Sequence, residues 1–376
     1  MRHRLAPRGS DVAGVAGDLV GLHATDPASV MLAARRRVRG VVVADVERAL
    51  YEERTVVRML GMRRTMFVVP VDLMPVVQAA CTAGLVPGER RKLVALLEAA
   101  GIAGNGPEYL AAAETAALGA LGVRGEATAA ELGRDVPALG RQIVLAAGKS
   151  YEGRQSVATR VLFLLAAEGL IVRGRPLGSW TSSLNRWTPV GSWLADPPPG
   201  IDEGPAGVEL VRRWLTTYGP GTLADLKWWT GWTAGRLKRA LGELGPVEVD
   251  LDGGGVGLVA PGDDEPTPAP EPWAALLPGL DPTVMGWFER DWFLGDHRAM
   301  LFDRTGNAGP TVWWDGRVVG GWAQRKDGEV VHQLLEDVGR EATEAIEAEA
   351  AALAAWVGPV RLTPRFRTPL ERRLTG

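Results

Sequence analysis

Residues 222–259 read TLADLKWWTGWTAGRLKRALGELGPVEVDLDGGGVGLV. This stretch predicts a short helix over 223–230, a turn, and a second amphipathic helix over 233–244. Two short apolar strands, 247–249 and 257–259, follow around a glycine-rich turn. Two helices followed by a hairpin form the winged-helix order, and this order decides the fold class that we predict.

The same order recurs twice upstream. The first copy has helices over 44–50 and 52–60, then a strand over 65–69 that Arg63 and Arg64 precede. The second has helices over 128–133 and 156–169, then a strand over 170–173 and a wing that runs to Trp187. A helix over 208–217 precedes the third copy. Such units can be purely structural, so the order alone does not assign DNA contact to each.

After Pro272 the residue pattern becomes typical of short β-strands. Strands are predicted over 300–303, 311–314, 317–322 and 330–333, and a helix over 336–356. Asp315-Gly316 lies between two apolar runs and is a strong type I′ hairpin signal. The predicted fold is therefore mostly α with small β-wings, of α+β class, with three tandem winged-helix units and a β-rich C-terminal domain.

Proline- and glycine-rich stretches at 196–204 and 261–272 break both helix and strand, and a weaker break falls between Gly101 and Pro107. They divide the 376 residues into four parts, as the length alone also leads us to expect. The predicted domains are residues 1–105 with the first winged helix, 106–196 with the second, 205–262 with the third, and 273–376.

Several function classes find no support. Cys81 is the only cysteine, which excludes an intrachain disulfide and a thiolate metal cage. The four histidines are scattered, and phosphate-binding loop, Rossmann and nucleophile-elbow motifs are missing. The N-terminus has no apolar run of signal-peptide length, and the most apolar stretch, 161–172, contains Glu168 and is short for a membrane span. We expect a cytoplasmic protein without cofactor, metal or membrane contact.

The net charge of −3 is unevenly distributed. Arginines crowd the first hundred residues, while acids gather at 263–271 and 336–349. A basic face and an acidic back suit double-stranded DNA, although a solvated surface of ion pairs is the alternative. All 14 tryptophans lie at or beyond Trp180, where they either stack on bases or fill core space.

The segment GLHATDP, residues 21–27, is the strongest candidate for chemistry. Asp26 followed by Pro27 predicts an N-cap and a helix that runs to about Val38. His23 and Thr25 would then lie beside the positive end of the helix dipole, where a phosphate and a water molecule can bind. The alternative is that Thr25 and Asp26 only cap the helix while His23 packs on a neighbour.

Five segments together carry a family resemblance: residues 21–27, 62–70, 219–232, 277–287 and 306–313. On these, nearly the whole chain resembles the AlkZ-like DNA glycosylases. The resemblance implies three winged helices and a β-rich C-terminal part in a C-shape, with duplex DNA across the concave face. It also implies excision of bulky N7-alkylated purines and crosslinks.

The family's catalytic motif is Gln-x-Gln or Gln-x-Asp, and the matching positions here hold His23 and Thr25. The resemblance therefore implies that His23 accepts a proton from the hydrolytic water, with Thr25 orienting it and Asp26 a candidate for charge stabilisation. On that reading activity should fall as the pH drops through about 6.5. The expected DNA contacts are Arg35, Arg36, Arg37, Arg63, Arg64, Trp180, Arg186, Asn307, Trp313 and Arg317.

A non-catalytic DNA-binding protein, such as a transcriptional regulator, is the competing hypothesis. No dimerisation helix is evident, which favours a monomer and the enzyme over a regulator that reads two half-sites. The sequence leaves open which adduct is removed, with what sequence preference, and whether for general repair or for self-resistance.

Overall fold

The computed structural model describes residues 1–145, 152–265 and 267–376 as a mixed α+β fold with small antiparallel sheets. Pro266, in the predicted linker 261–272, lies outside the described residues. The α-helices are α1 (Val12–Asp18), α2 (Pro27–Arg37), α3 (Val43–Tyr51), α4 (Met74–Val77), α5 (Val86–Ala99), α6 (Gly106–Arg124), α7 (Ala129–Asp135), α8 (Pro137–Gly140), α9 (Val157–Ala167), α10 (Val190–Trp193), α11 (Glu203–Tyr218), α12 (Leu223–Thr230), α13 (Ala234–Leu244), α14 (Asp291–Leu294), α15 (Arg298–Leu301), α16 (Gly339–Val357) and α17 (Pro369–Thr375). The strands are β1 (Leu22–His23), β2 (Val56–Leu60), β3 (Met66–Pro70), β4 (Gln142–Leu145), β5 (Gly153–Ser156), β6 (Ile171–Pro176), β7 (Asn185–Pro189), β8 (Val247–Asp250), β9 (Val256–Val259), β10 (Ala274–Leu277), β11 (Thr311–Trp314), β12 (Arg317–Gln324) and β13 (Val330–Leu334).

Two sheets and three hairpins organise these strands. An N-terminal sheet has the order β1-β3-β2, and a C-terminal sheet has the order β10-β11-β12-β13. The pairs β4-β5, β6-β7 and β8-β9 each form a separate two-stranded ladder. All strand pairs are antiparallel.

The stretch 222–259 folds as predicted, into α12, α13 and the β8-β9 hairpin. Thr222 and Asp225 form a capping box at the start of α12, and Gly231 ends it in the left-handed conformation. The other carboxylate oxygen of Asp225 accepts the backbone N–H groups of Phe288 and Glu289 at 2.7 and 2.9 Å. One buried carboxylate therefore fixes both the start of α12 and the loop before α14.

The second copy also has the predicted elements, as α7, α9 and the β6-β7 hairpin, with the additional hairpin β4-β5 between its helices. In the first copy, the predicted helix over 52–60 is wrong. Residues Val56–Leu60 form the strand β2, which pairs with β3 and is buried at every position. Burial on both faces explains the run of apolar residues that we interpreted as a helix face.

The C-terminal hairpin is confirmed. Asp315 and Gly316 have φ of 43° and 86°, the positive pair that a type I′ turn requires, between β11 and β12. The predicted helix is α16. The predicted strand over 300–303 is wrong, because Arg298–Leu301 is the helix α15, and the strand β10 had not been predicted.

Helix α2 lies at the centre of the molecule, and every one of its residues is buried. The expectation that Arg35, Arg36 and Arg37 contact DNA stays a prediction, although all three already bind protein groups. Arg35 forms an ion pair with Glu349, and Arg36 donates to the carbonyl oxygens of Leu5 and Ala274. Arg37 pairs with Asp281 in the interior. These guanidinium groups join distant parts of the chain, and each is already bound to protein groups.

Apolar packing separates the middle of the chain from the rest. Residues between Leu93 and Trp187 form a core of their own, whereas one continuous core joins the N-terminal sheet, α11–α13 and the loops before β11. A third cluster lies between α16 and the C-terminal sheet. The four-domain division stays a prediction.

One helical stretch, Val71–Ala99, is long and apolar enough to cross a membrane by length and composition. That is weak evidence, since a core helix of a soluble protein passes the same test. Leu73, Val77 and Leu97 on this stretch are fully buried against other parts of the chain.

Candidate active site

A cavity of about 340 Å³ lies where β1, the β2-β3 turn, α12 and the loops around α15 meet. It contains four residues that the sequence had singled out, namely His23, Thr25, Arg63 and Asn307. Its other walls come from Trp228, Phe288, Arg290, Arg298 and Phe366 among others. No carboxylate occurs among its described lining residues. The cavity therefore combines a histidine with an excess of positive charge.

His23 is held rigidly and kept neutral. It is 4% exposed, pairs with Phe67 across the β1-β3 ladder, and has the Phe67 ring 5.0 Å from its own ring centre. Burial first, and then the positive charge of Arg63, lower the pKa of His23 to about 3. The imidazole is thus neutral at physiological pH, but the step near pH 6.5 expected from the sequence is shifted far into the acid range.

The sequence leaves two roles open for Thr25 and Asp26, chemistry beside His23 or capping of α2, and the contacts of the two residues differ. The backbone N–H of Thr25 donates to Nδ1 of His23 at 3.5 Å, a long and therefore weak hydrogen bond. Asp26 caps α2 by accepting the N–H of Ala28 at 3.0 Å, and its other oxygen accepts the N–H of Arg365 at 3.3 Å. It does not line the cavity with His23, so capping accounts for this residue.

The arginines of the cavity are arranged around one indole ring. The guanidinium carbons of Arg63 and Arg290 lie 3.8 and 4.5 Å from the ring centre of Trp228. Burial lowers the pKa of Arg63 to about 10. Burial, followed by repulsion from Arg298 and Arg63, lowers the pKa of Arg290 to about 9. Both groups remain charged at neutral pH.

A larger cleft of about 890 Å³ lies on the other side of Thr25. Arg58 and Arg173 line it, and so do hydroxyl-bearing residues of α7 and α9, whereas no acidic side chain occurs in the described part of its wall. Arg58 donates to Asn185 at 3.3 Å, and Arg173 stacks on Trp187 at 4.7 Å. The two basic cavities share Thr25 and adjoin each other.

Other expected DNA contacts have different surroundings. Trp180 and Trp313 are buried, Trp180 against Trp356 and Trp313 in a stack with Trp273 and Phe293. The remaining three are at least partly exposed. Arg64 pairs with Glu89 at 2.8 Å, Arg186 pairs with Glu126 at 2.7 Å, and Arg317 lies 3.9 Å from Glu336 with its side chain 63% exposed.

A family model described as "DNA glycosylase AlkZ-like" matches residues 16–356. The chain belongs to the AlkZ-like DNA glycosylase family. Membership supports hydrolysis of N-glycosyl bonds in DNA as its class of activity. The solved structure of Streptomyces sahachiroi DNA glycosylase AlkZ is similar, with a TM-score of 0.71 and 22% identity over 97% of this chain and 96% of that one. At this identity the likeness shows the fold alone. No curated protein sequence matches the chain.

For an AlkZ-like chain, the residues that sequence reasoning missed are instructive. Arg290 and Arg298 stand in a segment with no recognisable pattern, and Arg58 and Arg173 stand on strands that read as ordinary core. Each becomes notable only in the folded structure, where none of the four forms an ion pair with a described residue. The one sequence signal was the pair Trp228-Trp229, whose first member contacts two of the cavity arginines.

Metal and thiolate chemistry lack candidates in the described part of this AlkZ-like chain. No group of three His, Cys, Asp or Glu side chains converges there. Burial raises the pKa of the Cys81 thiol to about 12, which keeps it protonated. The expectation of a metal-free enzyme stays a prediction.

Proposed function

We propose that this chain hydrolyses the N-glycosidic bond of N7-alkylated purines, including bulky adducts and crosslinks, in double-stranded DNA. The observation that carries the proposal is the cavity in which neutral His23 and Thr25 lie beside unpaired arginines. The family assignment supports the bond that is broken, and the departure from the glutamine motif makes His23 the residue to test.

The proposed reaction asks little of the protein. An N7-alkylguanine is a cationic leaving group, so the C1′–N9 bond breaks with its electron pair moving to the base, which leaves neutral. Water then adds to C1′ of the oxocarbenium-like sugar, and the proton that water loses passes to the neutral imidazole of His23. Thr25 orients the water. The products are the free alkylated base and an abasic site.

For the whole molecule, we propose a monomer that acts in the cytoplasm, where genomic DNA is accessible. The three helix and hairpin units act as winged helices around a concave, C-shaped face. The cleft of about 890 Å³ and the smaller cavity lie along the path of the strand, which the absence of acidic groups from their described walls supports.

The test is release of base from a duplex that carries one N7-alkylated guanine, with alkali used to reveal abasic sites. His23→Ala should reduce release by roughly 10²- to 10⁴-fold, the usual span for a lost general base, with little change in affinity for the adducted DNA. His332→Ala, on the strand β13 outside the cavity, is the matched control. If wild-type protein binds the duplexes but releases no base, the regulator hypothesis replaces this one.

A further inference from the structure

Three arginines of the His23 cavity lack an acidic partner. The buried Arg37 is neutralised by Asp281. By contrast, Arg63, Arg290 and Arg298 form no ion pair with any residue that the structure describes. Their contacts are with aromatic rings and backbone oxygens instead.

Two of these guanidinium groups also have unused donors. Nε of Arg63 and Nη2 of Arg290 are buried and have no hydrogen-bond acceptor. Arg290 is only 2% exposed, so water does not compensate its charge well. An unpaired buried charge and an unsatisfied buried N–H group both lower the stability of the folded protein. This cost implies that a bound anion supplies the missing interactions in the functional complex.

The backbone holds these side chains in place at some energetic cost. Arg63 has φ 52° and ψ 28°, in the left-handed region, within the turn from β2 to β3. A side chain other than glycine there costs about 1–2 kcal/mol. Arg290 follows the loop that Asp225 fixes through the N–H groups of Phe288 and Glu289, and its Nε donates to the carbonyl oxygen of Trp287 at 2.6 Å. Preorganised donors of this kind are typical of a binding site.

The reaction proposed above gives the anion a chemical reason. A sugar that becomes oxocarbenium-like beside three cations would be destabilised, because like charges repel in a water-poor cavity. A phosphodiester group placed between the arginines and the sugar reduces this repulsion, because its negative charge then lies nearer to the sugar than the guanidinium groups do. One strand phosphate therefore lessens the conflict between the charge of the cavity and its chemistry.

We infer that Arg63, Arg290 and Arg298 bind one backbone phosphodiester of the DNA strand, next to the nucleotide whose sugar faces His23. The position of this phosphate beside the reacting nucleotide rests on the proposed function, whereas the binding experiment that tests it does not require base release. The neighbouring cleft, which shares Thr25 with the cavity, favours a polymer over a free phosphate because it gives the strand a path onward.

The test measures equilibrium binding of the full chain to duplexes with one tetrahydrofuran abasic analogue, which cannot be processed. Each phosphate near the analogue is replaced in turn by an uncharged methylphosphonate. At one position the substitution should weaken wild-type binding by roughly tenfold or more, as expected for lost charge-assisted hydrogen bonds. Arg298→Gln, at an exposed position, and Arg290→Gln should each abolish the additional loss at that position only. Arg340→Gln, with a side chain that is 91% exposed on α16, should preserve it.

The outcomes separate the two proposals. If wild-type protein shows the position-specific loss of binding but releases no base, the phosphate site is supported and the proposed glycosylase activity is wrong. If no methylphosphonate position distinguishes wild type from both cavity variants, the phosphate site is wrong even where base release occurs. Displacement of DNA by micromolar inorganic phosphate, without a methylphosphonate effect, would likewise replace the strand by a small anion.

Discussion

Arg37 and Asp281 face each other in the interior with two hydrogen bonds, Nη1 to Oδ2 at 2.8 Å and Nη2 to Oδ1 at 2.6 Å. Both side chains are 0% exposed. Thr283 and the carbonyl oxygen of His3 accept further N–H groups of the guanidinium at 2.8 and 2.9 Å. The pair joins α2, which follows the candidate catalytic segment, to the loop after β10.

Breaking this pair should cost a large part of the stability. Asp281→Ala leaves a buried guanidinium without its counter-charge, so the free energy of unfolding in urea should fall by about 3–5 kcal/mol. Glu329→Ala removes the exposed partner of Arg325 and should cost at most about 1 kcal/mol. Equal losses in the two variants would contradict the structural role of the buried pair.

The pH dependence of base release should be flat where an ordinary histidine titrates. Since the folded pKa of His23 is about 3, the imidazole stays neutral and able to accept a proton as the pH falls through 6.5. We therefore expect titration of His23 to cause no change in kcat/KM between about pH 5 and pH 8. An acid limb near pH 6.5 that disappears in His23→Gln would show that the site is less shielded than it is here.

The same shift predicts a stability effect. In the unfolded chain His23 takes up a proton below its ordinary pKa of about 6.5, whereas the folded protein does not until about pH 3. The stability that this residue contributes is therefore present above about pH 6.5 and is lost as the pH falls below it. His23→Gln should show less acid destabilisation than wild type in urea titrations at pH 5 and pH 7, whereas a parallel decline in both proteins would be evidence against a buried neutral imidazole.

Restoring the family's motif gives a direct test of the two positions. The double variant His23→Gln, Thr25→Asp should release base at least as well as wild type, because an amide oxygen can accept from water and a carboxylate can stabilise the oxocarbenium-like sugar. His23→Ala is the inactive reference, and His332→Gln checks for unrelated effects. Loss of release in the double variant, with normal folding by circular dichroism, would mean that His23 and Thr25 do not take over the motif's role.

Arg63 and Arg64 form a natural matched pair, because both have positive φ in the same turn. Glycine at either position relieves the backbone and removes one guanidinium. Arg63→Gly should reduce the salt slope of DNA binding by about 0.9, as for one lost phosphate contact, and Arg64→Gly should reduce it less because Glu89 already neutralises that charge. A larger effect at Arg64 would place the DNA outside the cavity.

The tip of the β11-β12 hairpin should act through Arg317 rather than through tryptophan. Arg317→Ala should lower adduct processing more than it lowers the melting temperature, since its side chain is largely exposed. Trp313→Ala is the contrast, because it empties a buried stack and should lower stability by roughly 3–5 kcal/mol. Should Arg317→Ala leave processing unchanged, the hairpin does not probe the duplex.

The sequence predicted correctly the elements whose ends are marked by capping or turn residues. The helix α12 has the predicted bounds because Thr222 caps it and Gly231 ends it, and Asp315-Gly316 specifies its turn. Where the apolar run had no such boundary, as at Val56–Leu60, strand and helix could not be told apart. The burial of the clustered arginines on α2 could not be predicted either, since the carboxylate partners of Arg35 and Arg37 lie hundreds of residues away.

The candidate site was predicted only in part. His23 was found because it precedes a capped helix, and Asn307 because it lies in a segment that resembles the family. Arg290 and Arg298 were missed because the cavity is a product of tertiary structure, with walls drawn from residues between His23 and Phe366. No local sequence pattern can predict that a charged side chain will lack an ion-pair partner in the folded structure.

The distance along the chain between Arg37 and Asp281 sets an order for events during synthesis. Asp281 is polymerised 244 residues after Arg37. At typical elongation rates of about 5–20 residues per second, α2 therefore waits for roughly 12–50 s before its counter-charge exists. Until then Arg37 has only backbone acceptors, the carbonyl oxygens of His3 and Ala33, and the carboxylate partner of Arg35, Glu349, is synthesised later still. The nascent chain therefore carries Arg35 and Arg37 without their carboxylate partners for most of its synthesis, until Asp281 and Glu349 have been added.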